Sequence, residues 1–102
     1  MLRRLFLTAV LLPLLLMPAR ADIFPGSSEY YLTRADLAGL SCFELWVARN
    51  EIYARNGYCF RTRRARRYFG NAGCWTRNPP LNRIERRNVM LIRRIERLRG
   101  CR

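Results

Sequence analysis

The chain has 102 residues, and its 20 basic side chains face only 7 acidic ones, for a net charge of +13 with no histidine. That length holds one small domain, and without an imidazole there is no histidine base or histidine-bearing zinc site to build. Every basic residue is arginine, so the charge points to anionic partners.

The first residues, MLRRLFLTAVLLPLLLMPARA, set Arg3 and Arg4 before an apolar run from Leu5 to Met17 and finish on Ala19-Arg20-Ala21. This is the layout of a secretory signal peptide over residues 1–21, with cleavage expected after Ala21. A spanning helix wants ~20 apolar residues; this run has 13 and contains Pro13. The residue directly after the cleavage point is Asp22 and not cysteine, so no lipoprotein anchor is expected, and no transmembrane segment is expected in the mature chain. Cleavage removes three arginines and no acid, which lowers the net charge from +13 to +10. The product is expected to be secreted or periplasmic.

Residues 22–31 contain Pro25, Gly26, Ser27 and Ser28 and read as a flexible lead-in to a helical domain over residues 32–102. Thr33 with Asp36 forms a capping pair for a short helical turn that Gly39 ends. Ser41 with Glu44 opens a first long helix from Cys42 to Asn56, stopped by Gly57 in the left-handed conformation. On it Glu44, Ala48, Glu51 and Arg55 form a narrow wet stripe, while Phe43, Leu45, Trp46, Val47, Ile52 and Tyr53 face inward. Thr62 caps a short helix, RRARRYF, that buries Ala65, Tyr68 and Phe69 and points Arg63, Arg64, Arg66 and Arg67 outward. Asn82 with Glu85 opens a second long helix that runs to Arg99 and closes at Gly100. Its inward face is Ile84, Leu91, Ile95 and Leu98, with Asn88 in the same column.

A mature chain this small buries only ~60% of its unfolded surface, so covalent staples matter. Cys42, Cys59, Cys74 and Cys101 all lie in the exported part, and an even number in an oxidising compartment points to two disulfides. Their gaps of 17, 15 and 27 residues do not match the paired spacing of a zinc site, and no metal or other cofactor is expected. A helix of about 15 residues between Cys42 and Cys59 holds them ~20 Å apart, whereas a disulfide needs Cα atoms within ~7 Å. That excludes Cys42–Cys59, and with it Cys74–Cys101. Of the two pairings left, Cys42–Cys101 with Cys59–Cys74 requires antiparallel long helices and the other requires parallel ones. The antiparallel pairing is preferred, because the short helix and loop between them need only turn the chain round. The expected fold is therefore mainly α: a small single domain with two long antiparallel helices, short helices and two disulfides.

The run Arg49-Asn50-Glu51-Ile52-Tyr53-Ala54-Arg55-Asn56-Gly57-Tyr58, followed by Phe60, Tyr68-Phe69, Trp75, Glu85 and Asn88, resembles the YARHG domain. That is a presumed extracellular bacterial domain with the signature Tyr-Ala-Arg-His-Gly, and the resemblance spans residues 30–98. The family histidine is Asn56 here, and the family Trp-Tyr is Trp75-Thr76. The resemblance implies secretion, a small helical fold and a non-catalytic role. On physical grounds Asn56-Gly57 is a helix stop, since Asn tolerates the left-handed backbone and Gly adopts it freely. Arg49 and Asn50 sit on an apolar face and need partners. Glu85 and Asn88, on the facing helix, are the expected ones, with Arg49 paired to Glu85 and Asn50 beside Asn88. The alternative is that Arg49, Asn50, Tyr53 and Trp75 line a pocket for an acidic or sugar ligand.

No enzyme is expected. The hydroxyls lack a base and the thiols are paired, so no nucleophilic constellation assembles. Glu44 and Glu51 lie on a convex surface beside Arg55, which suits salt bridges better than glycoside hydrolysis. Arginines 63, 64, 66 and 67 with Arg87 and Arg94 on the last helix form candidate anion-binding surfaces. They suit an anionic envelope glycan, lipopolysaccharide or an acidic protein. Nucleic acid is disfavoured, because the leader sends the chain out of the cytoplasm and no reading module is present. A membrane-active, antimicrobial or toxin-like role is the alternative, although the last helix needs its apolar face for the core. Nothing in the sequence sets the oligomeric state.

Overall fold

The computed structural model describes Ala9 and residues 21–102, so the expected signal peptide lies outside the described residues apart from Ala9 and Ala21. Four helices follow in chain order: α1 (Arg34–Leu37), α2 (Cys42–Arg55), α3 (Arg63–Phe69) and α4 (Arg83–Leu98). Thr33, Ser41, Thr62 and Asn82 cap them, each accepting a backbone N–H from inside its helix. Asp36, Glu44 and Glu85 reach back to complete three capping boxes. These reciprocal bonds satisfy donors that a helix start leaves open.

The C-terminus of α2 departs from expectation in one respect. Asn56 keeps an ordinary φ of −99°, and only Gly57, at φ 79°, takes the left-handed conformation. Asn56 is therefore free for a different job, described below. A single parallel bridge, Tyr58 with Thr76, ties the chain leaving α2 to the loop after α3.

The core lies where α1, α2 and α4 meet: Leu32, Leu37, Leu45, Ala48, Ile52, Val89 and Ile92 form one buried cluster. Contacts between α2 and α4 come in reverse chain order. Cys42 meets Cys101, Arg49 meets Glu96 and Asn56 meets Glu85. The disulfides are Cys42–Cys101, with Cα atoms 5.5 Å apart, and Cys59–Cys74, at 5.1 Å.

Three expectations about facing are corrected. Ala48 and Glu51 are buried rather than wet, because residues 22–31, expected to be flexible, fold over that side of α2. Ile23 and Phe24 pack against the core, and their N–H groups donate to the Glu51 carboxylate at 2.9 and 2.8 Å. Arg55 donates to the Pro25 carbonyl at 2.7 Å and to Ser27 Oγ. On α4 the fully buried residues are Glu85, Asn88, Val89 and Ile92; Leu91 and Ile95 pack partly buried against the core as expected, while Leu98 is exposed. The apolar period misplaces the centre of this face by about one position, because two of its four fully buried residues are polar. Phe43 is exposed and Trp46 only half-buried. Both belong to an aromatic cluster with Tyr68 and Phe69 of α3 at the edge of the domain.

Candidate functional site

Arg49 of α2 meets Glu96 of α4, not Glu85. Its Nε donates to Oε1 at 2.7 Å and its Nη2 to Oε2 at 3.2 Å. The two side chains are 19% and 13% exposed, so the pair is bidentate and largely withdrawn from water. The reverse contact order explains the choice: with Cys42 held to Cys101 and Asn56 to Glu85, Arg49 lies midway along α2 and comes level with Glu96. Asn50 does not bond Asn88 either: its Nδ2 donates to the Trp46 carbonyl one turn back on α2.

Glu85 and Asn88 instead hold the segment from Ser27 to Leu32. Glu85 closes the α4 capping box and accepts from Ser28 Oγ at 2.9 Å and from Asn56 Nδ2 at 2.7 Å. Asn56 also donates to the Ile52 carbonyl, so the signature asparagine ties the end of α2 to the start of α4. Asn88 is 1% exposed. It accepts from the Leu32 N–H and donates to the carbonyls of Ser27 and Tyr30, all at 2.9 Å. Among the described residues no buried side-chain polar atom lacks a partner.

Gly57 has two reasons to be glycine. Beyond its positive φ, a Cβ there would stand 2.0 Å from Nε1 of Trp75, whose ring packs against the turn. The Trp75 and Thr76 N–H groups both donate to the Gly57 carbonyl. Trp75 is exposed, but it lies outside the cleft that Arg49, Asn50 and Tyr53 border.

Glu51, at 2% exposure beside 3% for Glu85, is one of two buried acids among the described residues. Burial raises its pKa and the nearby Asp22 charge adds to this, while the Phe24 and Ile23 N–H groups and Arg55 oppose it. A carboxyl whose folded pKa is raised binds more protons folded than unfolded between the two values. Its contribution to stability is thus fully present below the unfolded value and is lost as pH rises through the folded one. We expect Glu51→Gln to remove that descent: in urea titrations from pH 4 to 7, wild type should lose stability relative to the variant as pH rises. A constant difference between them across the range would contradict this.

The outward arginines divide into two kinds. Arg66 donates to the Phe60 carbonyl at 3.0 Å and so serves the fold. Arg64 lies 4.1 Å from the Trp46 ring centroid and 5.5 Å from that of Phe43, and Arg87 lies 5.5 Å from that of Tyr31. Stacking of this kind fixes a guanidinium while leaving its edge open for an anion. Arg63, Arg67 and Arg94 are exposed. Arg99, which the sequence does not single out, caps α1 by donating to the Leu37 and Ala38 carbonyls at 3.1 and 2.6 Å. Among the described residues no group of three potential metal ligands assembles, and no helix is long and apolar enough to cross a membrane.

Polar keys inside a disulfide-stapled set of helices, with cationic faces outside, define a small helical domain. The family model of the YARHG domain matches residues 20–97, and the chain belongs to that family. No curated protein and no solved structure matches it. Family membership and the two disulfides are consistent with an extracellular or periplasmic location.

Proposed function

We propose that the mature chain is a non-catalytic binding domain for an anionic component of the cell envelope: a phosphorylated or acidic glycan, lipopolysaccharide, or an acidic protein surface. The observation that carries this is how the acids are used. Of seven acidic residues, Asp36, Glu44 and Glu85 complete helix caps and Glu51 holds backbone N–H groups. Glu96 and Asp22 pair with Arg49 and Arg55. Glu29, Asp36 and Glu44 are the exposed acids, and among the described residues no acid pairs with the exposed arginines of α3 and α4, so the surface field there is strongly positive. The two long helices are read as antiparallel, which the reverse order of their contacts supports, and this displays the α3 and α4 arginines on a rigid frame.

Retention of the oxidised protein on a lipid A matrix tests the reading. Binding should weaken steeply as salt rises, and Arg64→Glu/Arg67→Glu should weaken it at least tenfold, since each cation near an anionic surface contributes about 1 kcal/mol. Arg49→Ala should keep the retention while losing about 3 kcal/mol of stability, because it leaves Glu96 without its partner in a mostly buried position. Retention that ignores both salt and charge reversal would overturn the proposal.

A further inference from the structure

A cleft of about 940 Å³ opens between the second half of α2, the loop at residues 77–81 and the first half of α4. That volume suits a compact small molecule. Tyr53 and Tyr58 stand edge to face on one wall, with ring centroids 5.5 Å apart. Buried Val89 lies at the cleft beside them, and Arg77, Arg86 and Arg93 surround it. No carboxylate lines it. The three guanidiniums differ from Arg49, whose charge Glu96 answers. Arg86 donates to the Leu81 carbonyl, which orients it without neutralising it. Arg93 reaches Tyr53 Oη at 3.4 Å, and Arg77 makes no ion pair or hydrogen bond among the described residues.

We infer that this cleft is a binding site for a phosphorylated sugar. Three unanswered cations call for a dianion rather than a single carboxylate, and guanidinium matches the bidentate geometry of phosphate. Tyrosine offers an apolar ring with a polar tip, which suits a sugar with its mixed C–H and hydroxyl faces. The inference rests on the reading of the protein as an anion binder and assigns that role a defined pocket distinct from the α3 arginines.

Calorimetric titration of the oxidised mature protein with glucose 1-phosphate, inorganic phosphate and glucose tests it. Glucose 1-phosphate should bind at least tenfold more tightly than inorganic phosphate, and glucose should give no signal. Arg77→Ala/Arg93→Ala should weaken the phosphosugar at least tenfold, whereas Arg63→Ala/Arg67→Ala on α3 should leave it unchanged. Both pairs are exposed, and unchanged thermal melting confirms that each variant folds. Displacement of glucose 1-phosphate by vesicles carrying lipid A would assign the phosphosugar to a lipid headgroup, and its absence to a soluble glycan; either result keeps the site. Equal binding of inorganic phosphate, or equal loss in both variants, overturns the cleft. So does the absence of phosphosugar binding while salt-sensitive retention on lipid A persists, and in that case the broader reading survives.

Discussion

Replacing Cys42 and Cys101 together with serine is expected to lower the unfolding free energy by about 4 kcal/mol, measured by urea denaturation of both proteins. The bond closes a span of 59 residues, and a cross-link restricts the unfolded chain more as the loop grows. The same change at Cys59 and Cys74, which span 15 residues, should cost about 3 kcal/mol. Against a usual total of roughly 5–15 kcal/mol, the first loss alone brings a domain of this size close to unfolding. Equal or reversed losses for the two bonds would show that strain or residual unfolded structure, rather than loop length, sets their worth.

Asn88→Ala should be nearly as damaging, for a different reason. It strips partners from the Leu32 N–H and from the Ser27 and Tyr30 carbonyls at the floor of the domain. Each buried polar group left unmet costs roughly 1–3 kcal/mol. The full sum will not appear, because the segment can lift away and rehydrate once its docking energy is exceeded. We expect a loss of about 3–4 kcal/mol, together with faster amide exchange confined to residues 22–32. Uniform acceleration across α2 and α4 would instead mean that Asn88 holds the whole core and not the segment.

Local signals in the sequence carried much of this architecture. The caps at Thr33, Ser41, Thr62 and Asn82 each rest on a side chain and its near neighbours, so spacing alone reveals them. The site was less legible, because its bonds join residues far apart in the chain. Arg49 could be seen to need an acid, but choosing Glu96 over Glu85 depends on how far α2 slides along α4, which no local pattern encodes. Glu51 looked like a surface acid for the same reason: nothing nearby announces that Ile23 and Phe24 will deliver two N–H groups to it. Residues 22–31 are rich in turn formers, and turn composition does not separate a loose strand of chain from one docked by Asn88 and Glu85. The cleft beside Tyr53 is likewise a product of three segments meeting, visible only once they are packed.

The outer faces of α3 and α4 carry guanidinium and no amine. Exposed charges of this kind are screened by salt, so dissolved ions would be the main dial on the grip of this surface. Reagents that seek primary amines would find no lysine, and a sensor chip coupled through such chemistry would seize the molecule by its amino terminus and leave the arginine faces free.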